Sequence, residues 1–435
     1  MILQGSLLLI IFLIFAYLMM SRKMPALLAL PAMALAVAFV SGIFFDWTQA
    51  VEGEPQTLAE FIMDTVLTKG PARLAAPMMY AIFGAILSQV VMRSGIAARI
   101  ISIAAEYAGE HKMRLAFLMT FVTACCFSSV TGLGAVIMIG SLVLPILIGA
   151  GISASFAAGL MLFAISIGGI FNPSILGFYM DTLGLSQELV QKYVLAYGIF
   201  LSLTTIAYLI IGGMRERSKF AWAEPVSVPE TKKMPFIALL TPIIPIALIM
   251  IFGMPIIPAF LIGMIWGVVT TDVRRALANL TAAFLEGLKD VSPVLGLFMG
   301  IGMALNAMMA APAKAVMAPF LEAVVPSSPI PFVIFFTVFA PLALYRGPFN
   351  FYGLGAGVAG ILLGAGILPA SAIMAAFFSV GQMQSVCDPT NTHNVWLAQF
   401  TKTGTEKLLK DTIPYVWAFA LVCLVWSVFF AGALQ

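Results

Sequence analysis

Long runs of apolar residues alternate with short polar segments along the whole chain. Each run is close to the length of about 20 residues that a helix needs to cross a hydrocarbon core of about 30 Å. A transmembrane barrel would instead alternate apolar and polar positions over about ten residues. The pattern therefore predicts an all-α polytopic membrane protein, with spans at about residues 3–20, 24–45, 74–92, 155–180, 193–213, 234–252, 255–270, 291–311, 370–397 and 412–432.

Two further apolar stretches, at about residues 115–150 and 331–366, are each interrupted near the middle by glycine and polar residues. The interruptions read FSSVTGLG at 127–134 and LYRGPFNFYGLG at 344–355. A helix broken in lipid leaves backbone groups without hydrogen bonds, so such a segment needs protein or a wet cavity around it. Both stretches are therefore predicted to be re-entrant hairpins.

Composition agrees with a membrane protein and sets its orientation. Hydrophobic residues make up 62% of the chain and charged residues only 9%, whereas a soluble domain carries roughly 25% charged residues. A non-cytoplasmic N-terminus places most of the 22 Lys and Arg residues in cytoplasmic loops, as the positive-inside rule requires. The first run has no basic residue before it and no cleavage pattern after it, so it is predicted to be a retained span. Both termini are then expected on the non-cytoplasmic side.

The two halves of the chain carry related patterns. The sequence GAGI recurs with an offset of 364 − 149 = 215 residues, and this offset sets Gly132 against Gly347. The sequences NPS and DPT agree to within one residue, since 388 − 172 = 216. Five crossings and one hairpin in each half would invert the second half relative to the first, which is the plan of many secondary transporters. The predicted division is a first inverted repeat (1–214), a cytoplasmic linker (215–233) and a second inverted repeat (234–435).

The sequences NPS and DPTNT place a proline among polar residues inside two of the predicted spans, at Pro173 in 155–180 and at Pro389 in 370–397. Proline removes a helix hydrogen bond and disfavours helical geometry just before itself, so both helices are expected to unwind there. Unwinding frees carbonyls that can bind Na+ and exposes a helix N-terminus, which suits an anion. The hairpin tips and the breaks together supply the candidate substrate-binding residues: Ser128, Ser129, Thr131, Gly132, Asn172, Ser174, Arg346, Gly347, Asn350, Thr390, Asn391 and Thr392.

Arg346 and Asp388 are the two charged residues that this topology leaves inside the membrane, where an unpaired charge costs several kcal/mol. One interpretation pairs them with each other as a structural ion pair. The other gives Arg346 a substrate carboxylate, which its planar guanidinium can hold with two hydrogen bonds, and gives Asp388 a Na+ ion or an exchangeable proton. His393 is either a hydrogen-bonded core residue or part of a proton relay. The ion-coupling candidates are Asp388, Asn172, Asn391 and His393, with Na+ expected near Asn172 and Asp388.

Two blocks of the first half resemble a known family. MRSGIAARIISIAAEYAG at 92–109 and SSVTGLGAVIMIGSLVLPILIGAGISASFAAGLMLFAISIGGIFNPSI at 128–175 look like the large membrane subunit of tripartite ATP-independent periplasmic (TRAP) transporters. More broadly they resemble the ion transporter superfamily, which includes gluconate, citrate and dicarboxylate carriers. The resemblance implies an elevator motion, coupling to Na+ or H+ without another cofactor, a homodimer in the bacterial cytoplasmic (inner) membrane, and no nucleic-acid partner. It extends to the tip residues Ser128, Ser129, Thr131 and Gly132 and to the break residues Asn172, Pro173 and Ser174.

Three functions compete at this stage. A cation-coupled symporter for a small organic anion accounts for the repeat, the paired breaks and Arg346. A cation/H+ antiporter of related architecture accounts for Asp388 but leaves Arg346 beside a cation site. An intramembrane enzyme using His393 with Asp388 or Cys387 leaves the first-half site without a purpose. The symporter is the leading prediction. The inverted repeat expects Gly132, Asn172, Gly347 and Asp388 all to border one cavity or interface.

Overall fold

The computed structural model describes residues 2–21, 23–49, 55, 57–109, 111–216 and 233–435. Within these residues the regular secondary structure is helical, with no strand. The predicted all-α class is therefore confirmed. Most of the predicted linker, residues 217–232, lies outside the described residues.

The described helices are numbered in chain order. Those of the first half are α1 (Ile2–Met20), α2 (Ala26–Ile43), α3 (Leu58–Glu60), α4 (Lys69–Ala72), α5 (Ala75–Arg93), α6 (Ile96–Ala108), α7 (Lys112–Phe127), α8 (Leu133–Gly149), α9 (Ala154–Phe171), α10 (Pro173–Leu183) and α11 (Gln187–Glu216). Those of the second half are α12 (Ile244–Phe252), α13 (Ile256–Thr271), α14 (Ala276–Met309), α15 (Ala311–Val324), α16 (Pro329–Val338), α17 (Gly355–Gly364), α18 (Ala370–Cys387), α19 (Thr392–Phe400) and α20 (Thr405–Phe429). A π-helical stretch (Phe61–Thr68) joins α3 to α4, and short 3-10 turns occupy Trp47–Gln49, Phe236–Leu240, Val273–Arg275 and Ala340–Arg346.

Seven helical segments of the described chain are long and apolar enough to cross a membrane. They are Ala26–Ile43, Leu58–Arg93, Ala154–Phe171, Gln187–Arg215, Val273–Met309, Ala370–Phe400 and Thr405–Phe429. The bent pair α15 and α16, which turns by 96°, would add an eighth, whereas the apolar part of α1 and all of α13 are shorter. The protein is therefore a polytopic integral membrane protein, although fewer segments meet these criteria than the ten spans that hydropathy predicts.

The surface of α11 shows how the chain meets lipid. Its exposed large side chains follow a helical spacing of three to four residues: Leu195, Ile199, Leu203, Ile206, Ile210 and Met214. On the opposite face Tyr193 and Tyr197 are fully buried. An apolar stripe of this kind would be unfavourable in water over such a length, but it matches hydrocarbon.

Several predicted boundaries are wrong because charged residues end an apolar run without ending the helix. The predicted span 291–311 belongs to α14, whose first half contains Glu286 and Lys289, paired with each other at 3.6 Å on the outer face. The helix α6 lies outside all predicted spans and α15 shares only Ala311 with one of them, since both mix charged and apolar residues. The predicted span 234–252 is a 3-10 turn followed by the nine-residue helix α12.

The long helix α14 packs closely on α5 and α2, and this contact supports one side of the site. A side chain at Gly287 would bring its Cβ within 2.9 Å of the backbone of Ile86, and one at Gly300 would meet Pro31 at 2.9 Å. Small residues of this kind let helix backbones approach closely inside membranes. The close approach brings Gln89 of α5 and Asp290 of α14 into contact, about one helical turn after Gly287.

Candidate functional site

The first tip, residues 128–132, joins α7 to α8. Gly132 has φ of 94°, a conformation that favours glycine, and its carbonyl accepts the first hydrogen bond of α8 from the Val136 N–H. The hydroxyls of Ser128 and Ser129 both donate to the carbonyl of Pro242, the Ser128 bond being 3.2 Å long. The two serines therefore anchor the tip to the segment before α12.

The first break is a single extended residue, Asn172, between α9 and α10. Its Oδ1 accepts a hydrogen bond from the Ser174 N–H at 3.1 Å, which caps α10, and Pro173 follows at the first helical position. Its Nδ2 donates to the carbonyl of Phe127 at 3.2 Å, so the buried Asn172 side chain joins the break to the first tip. Ser174 instead donates to the carbonyl of Tyr80 on α5.

The second break, residues 388–391, separates α18 from α19, and its side chains are tied to its own backbone. Asp388 is fully buried; its Oδ1 accepts hydrogen bonds from the Thr390 N–H at 2.8 Å and the Thr390 hydroxyl at 2.7 Å. The Nδ2 atoms of Asn391 and Asn394 donate to carbonyls in the last turn of α18. The His393 Nε2 lies 2.9 Å from the Ser385 carbonyl and 3.1 Å from the Nδ2 of Asn391.

The second tip lies between the 3-10 turn Ala340–Arg346 and α17. Tyr345 and Arg346 both have positive φ, at 56° and 58°, which is unfavourable for residues with side chains. Asn350 is 1% exposed, and its Oδ1 accepts a hydrogen bond from the Tyr352 N–H at 2.9 Å. Its Nδ2 is buried without a hydrogen-bond partner.

Both tips and both breaks contribute to one cavity of about 470 Å³. The residues preceding or opening α8, α10 and α19 line it, so three helix N-termini meet there. Seven of the predicted substrate-binding or coupling residues line this cavity: Thr131, Gly132, Asn172, Asn350, Asn391, Thr392 and His393. Seven do not line it: Ser128, Ser129, Ser174, Arg346, Gly347, Asp388 and Thr390. The expectation that Gly347 and Asp388 border the same cavity as Gly132 and Asn172 is therefore wrong, and their neighbours Asn350 and Asn391 border it instead.

Five polar residues of the lining are absent from the sequence-based candidates, and only Gln384 and Ser385 among them lie beside a break. They are Ser166, Asp290, Gln382, Gln384 and Ser385. Asp290 is the acidic residue of the lining; its Oδ2 accepts a hydrogen bond from Nε2 of Gln89 at 2.5 Å. It lies in the sequence LKDVSP, beside Lys289 and one residue before the predicted span 291–311, so hydropathy placed it outside the membrane. Glu286, Lys289 and Asp290 lie about one helical turn apart just before the predicted span 291–311. This helical spacing of charged residues is a signal that the helix extends beyond the span boundary.

Two hypotheses from the sequence, an Arg346–Asp388 ion pair and the joint use of His393 and Cys387, are not supported by the contacts in the structure. Among the described residues, no ion pair involves Arg346 or Asp388, so the structural ion-pair interpretation is wrong. The Sγ atom of Cys387 accepts a hydrogen bond from the Thr412 hydroxyl, and His393 contacts Ser385. Among the described residues, His393 therefore contacts Asn391 and the end of α18, and it forms no hydrogen bond with the Cys387 thiol.

Comparison with known proteins identifies the fold. The YdaH transporter of Alcanivorax borkumensis matches with a TM-score of 0.64 at 14% identity, over 94% of this chain and 98% of that chain. MtrF of Neisseria gonorrhoeae, from a class of antimetabolite efflux pumps, matches with a TM-score of 0.59 at 14% identity, over 93% and 94% of the two chains. No family model and no curated protein matches the sequence.

At such low identity the likeness shows the fold alone, which is that of polytopic membrane transporters. Neither structure is described as a TRAP subunit or as a gluconate, citrate or dicarboxylate carrier. The resemblance therefore agrees with the comparisons at the level of membrane transport, and the narrower family assignment is not supported by them.

Proposed function

We propose that the protein is a secondary active transporter that moves a small organic anion, a carboxylate, in symport with Na+ or H+. The observation on which this rests is the meeting of three helix N-termini, those of α8, α10 and α19, at one cavity. Each N-terminus carries a partial positive charge, which favours an anion. At α10 the first N–H groups are already bonded to Asn172, so this helix contributes only its partial charge.

Asn350 adds a hydrogen-bond donor to the same cavity. A buried donor without an acceptor costs about 1–3 kcal/mol, and the Nδ2 of Asn350 is such a donor. A carboxylate oxygen is a strong acceptor for it. The Asn350 side chain, like the three helix N-termini, is therefore matched to an anionic substrate.

The proposed coupling ion belongs at the breaks, near Asn172 and Asp388. The Oδ1 of Asp388 is bonded to Thr390, whereas its Oδ2 is buried with no hydrogen-bond partner. A buried carboxylate oxygen is stabilised by a proton or by a cation. A proton or a cation bound here neutralises the negative charge of Asp388. Without it, this charge would have to cross the membrane together with the substrate.

The proposal includes an inverted repeat, an elevator motion and a homodimer. In support, each half contains two helices joined by a short tip, then a helix broken near its middle, then a long final helix. In this scheme the tips and broken helices carry the substrate, while α2, α5, α13 and α14 form the support. The chain termini are proposed to lie on the non-cytoplasmic side of a bacterial inner membrane, on the basis of the positive-inside rule.

A cation/H+ antiporter is the second candidate. Asp290 lies in the cavity, whereas the part of its lining that the structure describes includes no Lys or Arg and Arg346 is outside it. An acidic group without a basic neighbour attracts cations. The antiporter would use the cavity for a cation and the three helix N-termini only for structure.

Proteoliposome transport separates the two candidates. Purified protein is reconstituted, and uptake of labelled gluconate, citrate and succinate is measured with and without inward Na+ and proton gradients. Symport predicts gradient-dependent accumulation of at least one of these anions above empty liposomes. Uptake of none of them, together with cation-driven proton release reported by an internal pH dye, would support the antiporter instead.

A further inference from the structure

A second cavity, of about 400 Å³, lies between α7 and α11. Its walls are one face of α7, from Phe117 to Cys125, and one face of α11, from Ser202 to Leu209, and both follow the three-to-four-residue spacing of a helix face. Residues of α9 and residues around the start of α12 complete the lining. None of its described lining residues also lines the cavity of the candidate site. We call this second cavity the α7–α11 groove.

The hydroxyl groups of the groove are already hydrogen-bonded within the protein. Those of Thr120, Ser202 and Thr205 each donate to the carbonyl four residues earlier in the same helix, at 2.7 Å. Ser128, which ends the α7 wall, donates to the carbonyls of Cys125 and Pro242. The described lining includes no charged residue. A water molecule in a cavity needs about two to four polar partners, so the groove suits a hydrocarbon guest better than water.

The groove opens onto the surface that faces lipid. Ile206, in its α11 wall, belongs to the exposed apolar stripe of that helix. In the α7 wall, Phe117 and Phe121 are 47% and 58% exposed. Because hydrocarbon covers such a surface in a membrane, a guest that enters the groove from outside comes from the bilayer. The hydrocarbon that a bilayer supplies is the acyl chain of a lipid.

The depth of the groove matches one leaflet of a bilayer. Its α7 wall runs from Phe117 to Ser128, a difference of 128 − 117 = 11 residues, which corresponds to about 17 Å at about 1.5 Å per helical residue. One leaflet is half of a hydrocarbon core of about 30 Å, or about 15 Å. A single acyl chain that starts at the membrane surface beside Phe117 would therefore end near Ser128.

Cationic side chains lie at the membrane-surface end of the groove. Lys112 and Arg114 are in the first turn of α7, and Arg215 is in the last turn of α11. The two helix ends adjoin, since a Cβ added at Gly213 would contact the side chain of Met113. Basic residues at a membrane surface attract anionic lipid headgroups. The charge at this end therefore complements an anionic headgroup.

We propose that the α7–α11 groove is a binding site for one membrane phospholipid with an anionic headgroup. One acyl chain fills the groove, and the phosphate lies beside Lys112, Arg114 and Arg215. The end of the chain packs beside Ser128, whose hydroxyl joins the first tip to the carbonyl of Pro242 at 3.2 Å. A ligand that binds only the folded protein stabilises it, so the lipid stabilises this side of the tip. The inference does not depend on the proposed transport of an anion.

Photo-crosslinking tests where the acyl chain lies. The protein is purified in detergent, stripped of lipid and given an equimolar amount of phosphatidylglycerol that carries a diazirine on one acyl chain. With the diazirine at the terminal carbon, peptide mass spectrometry should place the crosslink near residues 124–128 and 202–205. With the diazirine next to the glycerol, the crosslink should move to residues 113–117 and 209–213. The same labelled residues for both probes, or equal labelling along the whole exposed stripe of α11, would overturn the proposal.

A substitution that fills the groove tests the same site by affinity. Ser202→Phe places an aromatic ring in the groove and should weaken phosphatidylglycerol binding, measured by native mass spectrometry of the stripped protein, by roughly tenfold or more. Thr204→Phe is the matched control, because Thr204 is half-buried in the same helix and bonds to the carbonyl four residues earlier at 2.8 Å, but does not line the groove. Phosphatidylglycerol should raise the Tm of the unmodified protein and of the control, but not that of Ser202→Phe. Equal lipid affinities in the two variants would contradict an acyl-chain site.

A double variant, Lys112→Gln with Arg114→Gln, tests the headgroup. The unmodified protein should bind phosphatidylglycerol roughly tenfold more tightly than phosphatidylcholine with the same acyl chains, and the double variant should lose most of this preference. Arg274→Gln with Arg275→Gln is the control, since both residues precede α14 and neither lines the groove. Equal binding of the two lipids by the unmodified protein would overturn the anionic headgroup.

The crosslinking result decides the proposal on the unmodified protein if Ser202→Phe does not fold. Absence of lipid binding in all three measurements would reject the groove as a site. It would leave the proposed anion transport in place, because the groove and the cavity of the candidate site have no described lining residue in common.

Discussion

Ser166 of α9 and Gln382 of α18 are joined by a buried hydrogen bond, in which the serine hydroxyl donates to Oε1 at 2.6 Å. The two residues are 216 positions apart, which is also the offset between Asn172 and Asp388, since 388 − 172 = 216. Equivalent positions of two inverted repeats touch where the axis that relates them passes through the molecule. This contact, beside the cavity that both residues line, is the strongest support for the proposed repeat.

Loss of this bond should destabilise the centre of the protein. Ser166→Ala leaves the Oε1 of Gln382 buried without its donor, which should lower the free energy of unfolding by about 1–3 kcal/mol. Thermal melts of the purified protein would measure the change. Ser141→Ala is the matched control, because the Ser141 side chain is exposed and bonds only within its own helix. Equal melting temperatures for the two variants would contradict the expectation.

Asn172 should act through both ends of its side chain. Asn172→Ser keeps a residue that can cap α10 but removes the bond from Nδ2 to the Phe127 carbonyl. Asn172→Ala removes both the cap and the Nδ2 bond, so we expect its free energy of unfolding to be about 1 kcal/mol lower than that of the serine variant. Thermal melts should rank the unmodified protein above the serine variant and the serine variant above the alanine variant. A serine variant that transports at the unmodified rate would show that the link to the first tip is dispensable.

Asn350 should contribute to anion binding through its donor. Asn350→Asp retains the oxygen that accepts from the Tyr352 N–H, so the turn should persist, but the donor becomes an acceptor with a negative charge. We expect binding of gluconate, citrate or succinate to weaken by at least tenfold, or about 1.4 kcal/mol. The same variant should bind a cationic ligand no worse than the unmodified protein. Unchanged anion affinity would remove Asn350 from the proposed site.

Arg346 combines a charge with an unfavourable backbone conformation. Arg346→Gly should raise the free energy of unfolding by about 0.5–1 kcal/mol, because glycine adopts positive φ without steric cost. It should also lower anion uptake several-fold, since the second tip loses the positive charge that lies four residues from Asn350. Lys402→Gly is the matched control: Lys402 also has positive φ, at 52°, but lies after α19.

Lys402→Gly should raise the free energy of unfolding without lowering anion uptake. If uptake by Arg346→Gly equals that of Lys402→Gly, the guanidinium has no part in transport. This result would also favour the antiporter, because the sequence-based argument for an anionic substrate relied in part on Arg346.

The sequence by itself determined the features that depend on local chemistry. Hydropathy over about 20 residues fixes the helical membrane class, because each crossing must satisfy its own backbone hydrogen bonds. Pro173 and Pro389 mark the places of the breaks together with the Asn or Asp directly before each, whereas Pro31, Pro293 and Pro414, which lack such a neighbour, lie inside continuous helices. The glycine and polar residues near positions 132 and 350 indicate where the tips lie, because they interrupt the apolar run of their own segment.

Only the tertiary structure decided which side chains reach the cavity. Asp290 enters it from a helix whose charged turn looks like a cytoplasmic boundary in one dimension, and Gln89 meets it across 201 residues of sequence. Arg346 and Asp388, the charges that hydropathy selects, lie outside the lining because the backbones around them turn their side chains elsewhere. Which face of a broken helix points inward depends on packing against distant helices, and that packing has no local signature in the chain.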